Sequence, residues 1–286
     1  MDRISKSPFS LYDFLGYFIP GALFCYLIAI AFKLDSYVWL NIDFFRGLGL
    51  FDQSIAFVIV AYVLGHALNH LSTLTIERYS IWSIGYPSKY ILGIKQKSYF
   101  KKLKDKNDKD EEKRRKKELC ISKVWRISLL IVISPMFIFD FLIGKIAGFR
   151  RNYTNSIDTT LKNIIVKRIE KFSNKYGYNI DGDGDYFRII WHYYYEKFNV
   201  HAVKLDKYVA LYGFTRAVSF VFCIFCWIIT LSLIVHSSPW YYYLITLPAS
   251  GFLSYIFYIA FVKFYRRFTL EGFMCLVIDE ELEKRD

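Results

Sequence analysis

Long uncharged stretches alternate along the chain with strongly polar ones. Ala217 to Val262 runs for 46 residues without a formally charged side chain, divided by the polar turn His236-Ser237-Ser238-Pro239. Each half exceeds the roughly 18 residues that let a helix cross hydrocarbon while satisfying its own backbone hydrogen bonds. Phe14 to Phe32, between Asp13 and Lys33, and Ser54 to Ile76, between Asp52 and Glu77, meet the same criterion. The pattern predicts an all-α polytopic membrane protein with four transmembrane helices. Arg3 and Lys6 precede the first span as they would in a secretory signal, but its apolar core is too long and no small-x-small cleavage site follows. The first span is expected to be retained.

Three regions follow. Residues 1–76 hold spans 1 and 2, residues 77–216 form an α-helical insert, and residues 217–286 hold spans 3 and 4 with a short tail. Between Tyr79 and Phe100 the insert is aromatic, with Trp82, Tyr86 and Tyr90 suited to the headgroup layer. Lys101 to Glu118 contains Leu103 as its one apolar residue, so it cannot bury a face and reads as a solvated charged helix or a disordered loop. The uncharged run Ile127 to Phe139 carries Pro135 and is short for a span. It is read as an interfacial, re-entrant or buried helix, with a tilted span from Val124 to Ile146 as the alternative. From Ile157, apolar Leu161, Ile164, Ile165, Ile169 and Phe172 recur at helical spacing opposite Lys162, Lys167, Arg168 and Lys171, predicting an amphipathic helix with a basic face. A second helix is expected from about Asp185 with an aromatic surface. A third runs from about His201 toward Arg216 and is placed to continue into span 3.

Charge then gives an orientation. Residues 77–216 hold 29 of the 38 Lys and Arg against 15 acidic residues, a formal +14, whereas the loop Lys33 to Gln53 is slightly acidic and the Pro239 turn is uncharged. The positive-inside rule places the insert and both termini in the cytoplasm. The cysteines suit a reducing compartment. Cys223 and Cys226 have the spacing of a metal or redox pair, but they lie inside a span without a second pair or nearby His, which favours packing.

Several motifs were weighed as sites. Asp181-Gly182-Asp183-Gly184-Asp185 resembles a calcium loop, yet counting from Asp181 puts Tyr186 at the glycine position and His192 at the bidentate glutamate. A glycine-rich turn is the better reading, and no metal is expected. In span 2, Tyr62, His66, Asn69, His70, Thr73 and Glu77 form one polar stripe. It must face protein or water, so His66, Asn69, His70 and Thr73 are candidate pore or helix-interface residues. Arg114, Arg115, Lys116 and Lys117, with Lys162, Lys167 and Arg168, are candidate contacts to a polyanion, and the aromatics from Tyr186 to Tyr195 could stack on bases. No nucleophile elbow, phosphate-cradling loop or catalytic set is present, so no enzyme and no cofactor are expected.

Span 1 opens with Leu11-Tyr12-Asp13-Phe14-Leu15-Gly16-Tyr17-Phe18-Ile19-Pro20-Gly21, span 2 carries Ala61-Tyr62-Val63-Leu64-Gly65-His66, and span 3 is entered through Leu211-Tyr212-Gly213-Phe214-Thr215-Arg216. Together these resemble bacterial four-span membrane proteins of anti-phage defence and, within that setting, the membrane effectors of Hailong-type systems. The resemblance implies a homo-oligomeric ion channel controlled by a single-stranded oligodeoxyadenylate signal made by a partner nucleotidyltransferase. Membrane depolarisation and abortive infection would follow. The runner-up is a non-conducting membrane anchor or sensor that recruits a protein or nucleic-acid partner through the insert while its basic run holds membrane lipids.

Overall fold

The computed structural model describes residues 11–34, 50–94, 123–177, 186–197, 199–235 and 240–279. Every regular element among them is helical. Among the described residues four helices are long and apolar enough to cross a membrane, over Phe14–Ala31, Ser54–Tyr90, Ala202–Leu233 and Tyr243–Val277. They belong to α1 (residues 11–34), α2 (residues 50–83, the second span running past its end to Tyr90), α9 (Asn199–Val235) and α10 (Trp240–Val277). The insert adds α3 (Pro87–Tyr90), α4 (Lys123–Val132), α5 (Ser134–Ile146), α6 (Arg151–Thr154), α7 (Thr159–Tyr176) and α8 (Tyr186–Lys197).

Helices α1 and α2 approach until backbone meets backbone. A Cβ on Gly21 would run into the Ala61 carbonyl, and one on Gly65 into the Tyr17 carbonyl. Small residues permit such contacts in membranes, where close packing replaces the hydrophobic effect as the force between helices. Just before this contact α1 widens into a π turn over Phe14–Phe18, closed by the Ile19 amide bonding back to the Phe14 carbonyl. Pro20 has no N–H to return to Gly16, and a widened turn is a usual accommodation of such a gap.

The hairpin of α9 and α10 is sealed by short polar side chains. Ser219 Oγ donates to the Ser254 carbonyl at 2.9 Å while Ser254 Oγ donates to the Ser219 carbonyl at 2.7 Å. Cys223 lies 3.1 Å from Ser254 Oγ, and Cys226 donates weakly to the Leu247 carbonyl. Both thiols therefore serve the helix contact, the packing role expected of the Cys223/Cys226 pair.

Helices α4 and α5 do not form one continuous helix over the tilted span, Val124 to Ile146, that was the alternative. They meet at 87°. Ile133 leaves helical geometry at the bend, and Pro135, which cannot donate a helical hydrogen bond, opens α5. Trp227 Nε1 donates to the Val132 carbonyl at 2.9 Å, and the Pro135 carbonyl lies against Gly251. Trp227 and Gly251 sit well inside spans 3 and 4. The bend therefore lies against the outer face of spans 3 and 4 at mid-length, with Val132 exposed, and α5 returns toward the end where Arg126 of α4 stacks on Trp82, so that Asp140 meets Tyr79 just beyond Glu77 of α2. Relative to the spans the pair is a re-entrant hairpin.

The insert folds onto extensions of the spans themselves. Helix α9 runs unbroken through Arg216 into span 3, and α10 continues past Val262 to Val277. Phe187 of α8 packs edge-on to Phe268 and Phe273 of α10, and Gly272 leaves room for its ring. Helix α7 begins at Asp158, whose carboxylate accepts the Leu161 amide at 2.6 Å, and ends at Gly177 in the left-handed conformation. Both are regular caps. Tyr90, expected at the headgroup layer, is instead buried with Ile91 and Leu92 in the insert core.

Candidate functional site

The span 3 motif ends on a guanidinium that α2 holds beyond its own quoted motif, at Asn69, Ser72 and Glu77, while the span 2 motif meets span 1 through Gly65 and His66 against Tyr17. Arg216 is 6% exposed. Its Nη2 donates to Asn69 Oδ1 at 2.6 Å and its Nε to Ser72 Oγ at 3.2 Å, while Nη1 pairs with the Glu77 carboxylate. Asn69 in turn donates from Nδ2 to the Tyr12 hydroxyl at 3.3 Å. The Tyr12 ring lies where Gly213 and Gly16 leave space for it. A π turn over Thr73–Glu77 sits between Ser72 and Arg78 and sets the register that lets α2 offer Asn69, Ser72 and Glu77 to the same partner. An ion withdrawn from water is tolerated when a counter-charge and hydrogen bonds replace its hydration.

The predicted polar stripe therefore divides. Asn69 belongs to the Arg216 network, and Thr73 Oγ1 donates back to the Asn69 carbonyl at 3.0 Å. His66 stacks on Tyr17 at 3.7 Å between centroids and meets Tyr62 edge-on, yet remains exposed. His70, one turn further along, is exposed as well. Part of the stripe joins the helices of one chain, and part faces outward from it.

A second charged network meets α2 at Tyr79. Asp140 is 0% exposed and pairs with Arg150. Its carboxylate also accepts the hydroxyls of Tyr79 at 2.6 Å and Tyr153 at 3.3 Å. Gly144, one turn along α5, has no room for a Cβ because the Asp140 carboxylate occupies that space. This cluster fastens the returning arm of the re-entrant hairpin to α2 and α6.

Between α2, α3, α8, α9 and α10 opens a cleft of about 760 Å³, at the level where spans 2, 3 and 4 emerge from the bundle. Trp191 and Tyr195 of α8, Tyr212 of α9, and Tyr265 and Phe268 of α10 contribute aromatic walls. Glu77 reaches the cleft while holding Arg216, so one carboxylate belongs to both. Tyr195 donates to Asp206 at 3.1 Å across the mouth, and burial followed by the Asp206 charge raises the Tyr195 pKa.

Of the basic residues proposed for a polyanion, Lys162, Lys167 and Arg168 lie on α7. Lys162 lies beside Gly93, Lys167 is exposed, and Arg168 donates to the Asp279 carbonyl at 3.4 Å. Arg114, Arg115, Lys116 and Lys117 lie outside the described residues, as does the Asp181–Asp185 turn. Among the described residues no group of three His, Cys, Asp or Glu could hold a metal ion. The sequence pattern assigned no role to Arg216, named as a helix end and within a motif, or to Asp140. The signal in each case was a charged residue at the edge of an apolar run, which demands a partner. Comparison with protein-family models, curated proteins and solved structures finds no match to this chain.

Proposed function

We propose that the protein is an inner-membrane effector of anti-phage defence, a homo-oligomeric ion channel controlled by an oligonucleotide or nucleotide signal on its insert side. The observation that carries this reading is the exposure of His66 and His70 on α2, near the middle of an otherwise apolar span. Ionisable side chains facing lipid are costly, so this face belongs against water or against a second copy of the chain. The re-entrant hairpin supports it, because backbone that breaks from helix at membrane depth is found where it is buried in protein or borders a water-filled path. The formal +14 of the insert attracts a polyanion, and unbroken α9 offers a mechanical route from the insert to the spans. The insert and both termini then face the cytoplasm.

The test is ion flux through the purified protein in liposomes, with and without short oligodeoxyadenylates on the insert side. Flux that responds to the oligonucleotide and falls in His66→Leu/His70→Leu supports the channel. Absence of flux from a folded oligomer under every ligand returns the anchor or sensor reading. That second reading has an observation of its own, since Asn69 and Thr73 already close their hydrogen bonds within one chain.

A further inference from the structure

We propose that the aromatic cleft at the insert end of the bundle binds an organic ammonium cation, and that the cation acts on the spans through Glu77. The cavity of about 760 Å³ is of the size that encloses small organic ligands. Tyr, Trp and Phe make up seven of its sixteen lining residues. Trp191 and Tyr195 lie one turn apart on α8, and Tyr265 and Phe268 three residues apart on α10, so each helix turns two aromatic side chains toward the same space. Aromatic faces attract cations through the ring quadrupole, and clustered rings are the usual recognition device for alkylated ammonium groups.

Charge decides against a phosphate-bearing occupant. Glu77, Glu196 and Asp206 line the cleft against Arg188 as the single formal cation in the lining. His192 adds charge only when protonated. The polyanion drawn to the basic parts of the insert therefore meets the wrong sign here, and the cleft is a second, distinct place of recognition. Tyr195 holds Asp206 by a hydrogen bond, so that carboxylate stands beside an aromatic wall.

The consequence for the spans follows from the double membership of Glu77. Its carboxylate is the counter-charge of buried Arg216 and part of the cleft surface. A cation arriving in the cleft competes with Arg216 for that carboxylate, and α2 and α9 are the two helices that the Arg216–Glu77 pair joins. Differential affinity for the paired and released arrangements would bias one against the other. Binding itself stands independently of whether the protein conducts.

The cleft lies where spans leave the bilayer, so the ammonium group can come from a soluble amine or from a lipid headgroup. The experiment titrates the full-length protein in detergent with benzyltrimethylammonium, and with benzyl alcohol as the neutral control, by calorimetry. Saturable binding of the ammonium compound alone is expected. At least tenfold weaker binding is expected in Glu196→Gln/Asp206→Asn, whose two positions are exposed and tolerate change. Equal affinity in that variant, no saturable binding to the wild type, or tighter binding of benzyl alcohol overturns the proposal. If the double variant fails to fold, Glu196→Gln alone must still weaken binding measurably, and wild-type affinity there overturns it. Repeating the titration in nanodiscs separates the sources. At a fixed phosphatidylglycerol fraction, and so at equal surface charge, weaker apparent binding when the remaining lipid is phosphatidylethanolamine than when it is an uncharged glycolipid identifies a headgroup already in the cleft, and equal binding identifies a soluble amine. Flux is measured separately, so failure of the channel reading leaves this result standing.

Discussion

Arg216 and Glu77 lie 139 residues apart in sequence and form an ion pair where spans 2 and 3 leave the bundle. The pair ties α2 to α9 at the level of the aromatic cleft. Asn69 and Ser72 occupy other guanidinium nitrogens, so Arg216 is held by three side chains of one helix.

Removing only one member of this pair leaves a charge with no partner. Glu77→Gln is expected to lower stability by about 3 kcal/mol, in the range seen for broken buried pairs. Replacing both charges, as in Arg216→Met/Glu77→Leu, should recover much of that loss. Unfolding in detergent by thermal or denaturant titration reads both. If Glu77→Gln unfolds like the wild type, Asn69 and Ser72 alone hold the guanidinium.

The glycines of the first two motifs have separable roles. Gly65→Ala would drive a methyl into the Tyr17 carbonyl, a backbone atom that cannot swing aside, and Gly21→Ala would do the same at Ala61. Each should cost about 1–3 kcal/mol or more, as overpacking does. Gly16→Ala meets only the Tyr12 ring, at 3.6 Å or beyond, and should be tolerated. Yields of folded protein and detergent melting curves for the three variants distinguish this ordering from a general intolerance of alanine in α1 and α2.

How much of this was readable in advance follows from which forces act locally. The four spans, the amphipathic α7 and the continuity of α9 through Arg216 were legible because each rests on a run of apolar residues or on helical spacing. The motif Leu211 to Arg216 was visible as a pattern, but its purpose was not. Arg216 acquires meaning only when Asn69, Ser72 and Glu77 arrive from another helix. The outward exposure of His66 and the inward use of Asn69 could not be separated either, since both lie on one stripe and small rotations of α2 decide which meets a neighbour. The run around Pro135 was ambiguous because an isolated proline marks a break without saying where the chain goes next. Here the answer lies in contacts to Trp227 and Gly251, far away in sequence.

The returning arm of the re-entrant hairpin hangs on Asp140. Tyr79→Phe removes one hydrogen bond to a buried carboxylate and should cost about 1.5–3 kcal/mol, because bonds to charged groups are worth more than neutral ones. Arg150→Leu leaves the carboxylate without its counter-ion and should cost more. The hairpin also predicts a label pattern. A cysteine placed at exposed Val132, near the bend, should resist a membrane-impermeant maleimide from either side of a proteoliposome, whereas one at exposed Lys123 should react from the insert side. Rapid labelling at Val132 with the wild-type fold intact would show that the bend sits outside the bilayer.

Alkaline pH tests the clasp between α8 and the end of α10. Tyr194 donates to Asp279 Oδ2 at 2.8 Å, and Lys197 pairs with the same carboxylate at 2.9 Å. Burial first, and then the hydrogen bond to Asp279, push the Tyr194 pKa well above its ordinary value of 10.0. A folded-state pKa above the unfolded one means that the native chain keeps a proton which the unfolded chain has released. The contribution is therefore fully present below about pH 10 and is lost as pH rises through and beyond it. Tyr194→Phe should remove this alkaline loss and one late-titrating tyrosine from the absorbance at 295 nm. Tyr193, raised to about 12 by burial and by its neighbour Tyr176, packs on Tyr194 and accepts from Lys197, so it remains to titrate in Tyr194→Phe. An unchanged alkaline melting profile in Tyr194→Phe would mean that Lys197 and Asp279 hold the end of α10 without the phenol.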